Sequence, residues 1–297
     1  MGVRTSSLIR LILSMLIYGT IGIFRKALPV SSAFLAMFRG FTGSFLLLLF
    51  LAVLRRKPDW KAIRKKALPL IVSGGIIGLN WILLFESYRY TTVAISTLCY
   101  YMSPVFVMLA SPLLLHQSLE RRKIISLLLS LIGMLLITGV FSQGSADTGR
   151  TLGILLGLGA AILYAIVILI NQTLGSVPSL ERTIVQLFSA GVVVLPYTAV
   201  TGGFSTVPFD IPSIALLLFI GLLHTAIAYV LYFSSMDYLS AQTVAIISYL
   251  DPLTAVLLSA FFLHEPMDVL GVIGTALILA AAIYAETGFN PSRKNRK

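Results

Sequence analysis

Apolar residues in this chain do not alternate with polar ones. They run in blocks of about twenty, separated by short polar or basic stretches. A helix needs about 20 such residues to cross a hydrocarbon core of about 30 Å. Ten blocks qualify, at roughly 8–27, 32–54, 68–88, 92–115, 122–140, 150–171, 182–200, 211–233, 240–263 and 268–287. The pattern predicts an all-α polytopic membrane protein of ten transmembrane helices. The first block follows Arg4 and Arg10 as a signal-peptide core would. Arg25-Lys26 closes it where a cleavage site would need small residues, so it reads as the first spanning helix.

The blocks repeat. Tyr101-x-x-Pro104 and Leu115-His116 recur as Tyr249-x-x-Pro252 and Leu263-His264 at a constant offset of 148 residues, and Ile17-Tyr18 parallels Leu163-Tyr164. Dividing the chain as 1–143 and 144–297 puts five spans in each copy. Five is odd, so consecutive copies enter the membrane in opposite senses and form an inverted repeat. Each copy also carries a long apolar segment interrupted by proline, with helix breaks expected at Pro104 and Pro252. Paired interruptions of this kind point to a transport site.

Composition agrees. The chain is 58% hydrophobic and 11% charged, where soluble domains average about 25% charged. The formal charge of +11 lies in short blocks between apolar runs, and no basic domain exists to bind nucleic acid. With a cytoplasmic N-terminus, the inside segments hold seventeen Lys and Arg, seven of them in 55–66, with Arg182 counted among them. The outside segments hold Arg25, Lys26, Arg89 and Arg150. That bias predicts both termini on the cytoplasmic side of the plasma (inner) membrane. The stretch RRKPDWKAIRKK, with Trp60 as an interfacial anchor, is expected against anionic lipid headgroups, or else to dock a partner protein. Cys99 is the only cysteine and can form no internal disulfide.

Polar residues inside the spans are the candidate chemistry. Asp251, directly before Pro252, is the sharpest. A carboxylate near the bilayer centre costs about 2.5–3.5 kcal/mol on insertion scales, so it should face a cavity or a partner. It reads as a cation or proton site, or as a structural carboxylate paired with Arg39 or capping the broken backbone. Pro252 is expected to free the carbonyl near Ser248, and Ser248, Thr254 and Ala255 to share the Asp251 face. The repeat counterpart of Asp251 is Ser103, so the halves are alike in shape and unlike in charge. Tyr100, Tyr101 and Tyr249 precede the prolines and suit amphipathic ligands or cations. Asn80 and Trp81 are further binding candidates. Glu86, beside Arg89, is a gating candidate. Arg39 is a partner for a substrate carboxylate or for Asp251, and His224 is a proton carrier or a structural histidine. Gly74-x-x-x-Gly78 and Gly153-x-x-x-Gly157 read as helix contacts. His116 and His264 end spans at opposite faces, too far apart to share a metal. No Walker loop, HExxH or G-x-S-x-G element appears, so neither a cofactor nor an enzymatic role is expected.

With the halves placed, the chain resembles the EamA-type branch of the drug/metabolite transporter superfamily. The residues carrying the resemblance are Ala228-Tyr229, Met236 to Ala241, Tyr249-x-x-Pro252, His264-Glu265-Pro266 and Gly271 in the second half. Tyr88, Tyr90, Tyr101-x-x-Pro104 and Gly133 carry it in the first, with Gln117 where the second half has Glu265. The resemblance implies a ten-helix carrier with a central cavity, exporting amino acids or similar small amphipathic metabolites by alternating access. Cationic amines or drugs, or a lipid-linked substrate, are the alternative cargo. Implied partners are a small-molecule substrate and the lipid bilayer, with proton coupling open and a monomeric or homodimeric state.

Overall fold

The computed structural model describes residues 2–26, 28–91, 96, 99–137, 148–207, 210–262 and 269–286. Among them the chain forms helices and no strands. These are α1 (Val3–Lys26), α2 (Ser32–Val53), α3 (Trp60–Lys65), α4 (Ala67–Tyr90), α5 (Ser103–Leu115), α6 (Arg121–Ile137), α7 (Thr148–Thr173), α8 (Ser179–Val200), α9 (Ile211–Ser235), α10 (Ala241–Ile247), α11 (Leu250–Phe262) and α12 (Val269–Glu286). Five of them, α2, α4, α7 (from Thr151), α8 and α9, are long and apolar enough to cross a membrane by length and composition. The segment between α2 and α4 is not a plain loop, because α3 lies within it.

Helix starts follow the side chains that can satisfy free amides. Ser31 accepts from the Phe34 amide at 3.1 Å, Asp210 from Ser213 at 2.9 Å and Ser240 from Thr243 at 3.2 Å. The Ser213 amide also holds the Asp210 carboxyl below its usual range.

The helices of one half pack mainly against those of the other, and each contact has its repeat counterpart. α4 on α7 mirrors α1 on α9, α5 on α7 mirrors α1 on α11, and α4 on α8 mirrors α2 on α9. α2 with α8, and α6 with α12, pair equivalent helices. Lipid-embedded helices associate through close backbone approach, and glycine supplies it here. Gly78 faces α8, where an added Cβ would lie 2.8 Å from the Ala190 carbonyl oxygen. Gly157 faces the start of the fourth span, where a Cβ would lie 2.9 Å from the Cys99 Cβ.

The fourth and ninth spans are interrupted, but the prolines do not make the break. The turns fall at Tyr101–Met102 and Ser248–Tyr249. Pro104 and Pro252 lie in the first turn of the following helices, where a missing amide leaves no intrahelical bond unmade. The Ser248 carbonyl is not left free: the Asp251 amide donates to it at 3.2 Å. Ser248 also lies across the turn from Asp251 rather than on its helical face, and its hydroxyl returns to the Val244 carbonyl at 2.8 Å.

Two further features depart from the sequence reading. The middle of α9, Ile220–Ile227, is π-helical. Arg182, counted above as a loop cation, is fully buried in α8. It donates to the Phe233 carbonyl at 2.6 Å and to Asp237 at 2.9 Å, closing the end of α9.

Candidate functional site

The two helix breaks meet. Tyr101 and Tyr249, equivalent in the repeat, stand with ring centroids 6.0 Å apart, and the Tyr249 hydroxyl donates to the Tyr101 carbonyl at 2.8 Å. Tyr249 is fully buried, so its hydroxyl ties the two breaks together. The Tyr101 hydroxyl turns the other way and lies near the Asp251 carboxyl. Asp251 is only half-buried although Tyr249, Pro252 and Leu253 around it are interior, which leaves space beside it.

Tyrosine rings surround that space. Tyr100 packs on Tyr101 (5.5 Å) and on Tyr164 (5.4 Å). Tyr164 stacks on Tyr232 at 6.3 Å, and its hydroxyl donates to that of Tyr232 at 2.7 Å. Tyr18 stands edge-on to Tyr229 at 5.5 Å and to Tyr232 at 6.2 Å. The Tyr18 hydroxyl is buried with no hydrogen-bond partner among the described residues. A buried hydroxyl without a partner carries a desolvation penalty that a ligand's polar atom would relieve.

Arg39 closes the far side. Its guanidinium lies over the Trp81 ring at 5.2 Å, its Nε donates to Thr225 Oγ1 at 2.9 Å, and one terminal nitrogen donates to the His224 carbonyl at 3.4 Å. Asp251 feels the Arg39 charge, yet no carboxylate lies within ion-pair distance of Arg39 among the described residues. The expected Arg39–Asp251 ion pair is therefore absent. Helix packing separates the two: Arg39 is drawn to α9 by Thr225, whose hydroxyl is also within reach of the Ile220 carbonyl in the π-helical turn, at 3.4 Å. The site thus presents one anion and one cation across an aromatic floor.

Tyr100, Tyr101, Tyr249, Asp251, Trp81 and Arg39 come together here. Ser103 is buried at the start of α5. Asn80 points to α7 and donates to the Ala160 carbonyl at 2.6 Å. His224 packs between Phe24 and Phe219 (centroids at 5.2 and 6.0 Å), with Nε2 2.7 Å from Thr20 Oγ1 and Nδ1 buried without a partner. Glu86 pairs with Arg89 at 3.0 Å and accepts from the Tyr197 hydroxyl near the end of α8. Glu265 and His264 lie outside the described residues.

The tyrosines at 18, 164, 229 and 232 were not among the candidates. The signal for two of them was present, since Tyr18 and Tyr164 occupy matching places in the repeat.

The model of the EamA-like transporter family matches the chain twice, over residues 5–139 and 151–286. The chain belongs to the EamA-like transporter family. It is similar to the "Uncharacterized transporter YxxF" of Bacillus subtilis, 26% identical over 93% of this chain and 88% of that protein. An "Uncharacterized transporter" of Archaeoglobus fulgidus is 27% identical over 93% and 94%. The "Uncharacterized inner membrane transporter YhbE" of Escherichia coli K12 is 26% identical over 80% and 77%. A solved crystal structure shares the fold with a TM-score of 0.81 at 17% identity, covering 95% of this chain and 96% of that chain. This EamA-family protein is therefore a multi-pass membrane transporter built as two inverted five-helix repeats.

Proposed function

We propose that this transporter exports amino acids or similar small amphipathic metabolites across the plasma membrane, with both termini cytoplasmic. The observation that carries the reading is a half-buried Asp251 and an Arg39 without a carboxylate partner among the described residues, held apart around one tyrosine-lined space. An ammonium group suits Asp251, a carboxylate suits Arg39, and an apolar body suits the rings between them. The Tyr18 hydroxyl, without a partner among the described residues, can serve a further polar atom of the solute. The halves 1–143 and 144–297 supply the paired contacts that exchange during alternating access. The ring cluster also favours a second cargo, cationic amines, because π faces attract ammonium ions.

Counterflow in proteoliposomes tests the reading. Protein loaded with unlabelled amino acids should accumulate labelled zwitterion, with and without an imposed pH gradient. Exchange of amines but not zwitterions selects the second cargo. No exchange of either class overturns both.

A further inference from the structure

Between α2 and α4 the chain makes a detour that a simple reversal does not require. α2 ends with Arg55 in the left-handed region, φ 52°. The Arg56 amide donates to the Leu51 carbonyl at 3.1 Å and the Arg55 amide to the Ala52 carbonyl at 3.0 Å. This is the bond pair of a helix end that glycine ordinarily closes. An L side chain is strained there, so the arginine is held at a site where local backbone preference disfavours it. Next, Asp59 caps α3 by accepting from the Ala62 amide at 2.9 Å, which occupies the one carboxylate of the segment.

α3 is fixed to the bundle. Ala62 and Ile63 pack on Leu70, Leu174 and Val177, the last two lying at the connection between α7 and α8 in the other repeat. Trp60, 60% exposed, lies on the outer surface. Arg55, Arg56, Lys57, Lys61, Arg64 and Lys65 are all exposed, and none has a carboxylate within ion-pair distance among the described residues. Exposed Phe50, Val53 and Leu68 continue the surface toward the membrane-spanning belt. Six like charges on a docked platform, with no carboxylate in ion-pair range among the described residues and beside an apolar belt, suit an anionic neighbour at the membrane surface.

We propose that these six cations form a binding site for anionic phospholipid headgroups, with Trp60 seated at the acyl boundary. Phosphate charge neutralises the cluster, and apolar chains cover the exposed belt. Because α3 rests on the α7–α8 connection, a bound headgroup braces both repeats and stabilises the fold. Each cation near an anionic surface strengthens binding by about fivefold.

The test uses the full-length protein in detergent, titrated with phosphatidylglycerol, phosphatidylcholine or inorganic phosphate. Bound lipid is read by native mass spectrometry and the unfolding temperature by thermal shift. Phosphatidylglycerol should bind at least tenfold tighter than phosphatidylcholine and alone raise the unfolding temperature. The Lys57→Gln/Lys61→Gln/Arg64→Gln/Lys65→Gln variant should bind phosphatidylglycerol at least a hundredfold more weakly than the wild type, about fivefold for each cation removed. Arg55→Gly should weaken phosphatidylglycerol binding about fivefold while leaving the lipid-free unfolding temperature unchanged or higher, since glycine relieves the strained φ. Equal affinity of the wild type for the two lipids, an unchanged phosphatidylglycerol affinity in the fourfold variant, or equal stabilisation by inorganic phosphate overturns the proposal.

Discussion

The interrupted fourth and ninth spans are built alike and used differently. Both turn just before a proline helix, at Tyr101–Met102 and Ser248–Tyr249, and both offer a tyrosine at the turn. Yet the Tyr249 hydroxyl donates to the Tyr101 carbonyl, whereas the Tyr101 hydroxyl lies near Asp251. One tyrosine fastens the scaffold and its twin serves the carboxylate. The first break has Ser103 where the second has Asp251. A second carboxylate would add another about 2.5–3.5 kcal/mol of insertion penalty, and Arg39 is the nearby cation that would have to serve both. An inverted repeat needs backbone symmetry to exchange its two shapes. It does not need symmetric chemistry, and here the charge sits on one break.

The largest expected effect comes from erasing that asymmetry. Asp251→Asn should lower zwitterion exchange at least tenfold and flatten its pH dependence, with helical content and elution profile unchanged. Moving the charge with Ser103→Asp/Asp251→Ser should not restore exchange, because Tyr101 and Arg39 are arranged about the second break. Counterflow rates measured across a pH series check both. A wild-type rate and profile in Asp251→Asn would reduce the carboxylate to a structural role.

The next effect separates the helices that lean on the two breaks. α1 approaches α11 so closely that a Cβ at Gly19 would lie 2.7 Å from the Asp251 carbonyl oxygen. By the alignment of Tyr18 with Tyr164, the equivalent residue on α7 is Ala165, which is buried without difficulty. Gly19→Ala should therefore destabilise the protein by about 1–3 kcal/mol through overpacking. Ala165→Gly should cost less than about 1 kcal/mol. Denaturant titrations of the two variants decide the matter. Equal losses would mean that the tight approach at the charged break is no tighter than its twin.

These contrasts show what was legible in the sequence. Span lengths and the odd number of spans per repeat are properties of apolar blocks, so the ten-helix inverted design could be read directly. The repeat marked Tyr101, Tyr249 and Asp251 as candidates and a place inside a span marked Trp81, but the contact between Tyr101 and Tyr249 was not in the pattern. Arg182 was misplaced because charge alone suggests a loop; its carbonyl partners come from Asn171, on the preceding helix, and from Phe233, far along the chain. Asn80 and Trp81 are neighbours in sequence, yet point about 100° apart on a helix, one to α7 and one to the site. The π-helical turn has no sequence signature, and it positions Thr225 to draw Arg39 away from Asp251. The tyrosine ring needed four helices to be placed before it could be seen.

The smallest effect is the most discriminating, because it sets one tyrosine against its twin. Tyr249→Phe removes a bond between the repeats and leaves the ring contact, so it should cost about 0.6–1.7 kcal/mol, the range of measured interhelical hydrogen bonds in membrane proteins. Tyr101→Phe leaves that bond intact, since Tyr101 contributes its carbonyl and not its hydroxyl. Its stability should change less than that of Tyr249→Phe, while the pH profile of exchange shifts because Asp251 loses a neighbouring hydroxyl. Combining Tyr101→Phe with Asp251→Asn should add nothing to Asp251→Asn alone, whereas Tyr249→Phe should add its full stability loss, as independent sites do. If Tyr101→Phe destabilises as much as Tyr249→Phe and leaves the pH profile untouched, the two tyrosines share one structural job, and the division of labour between the breaks fails.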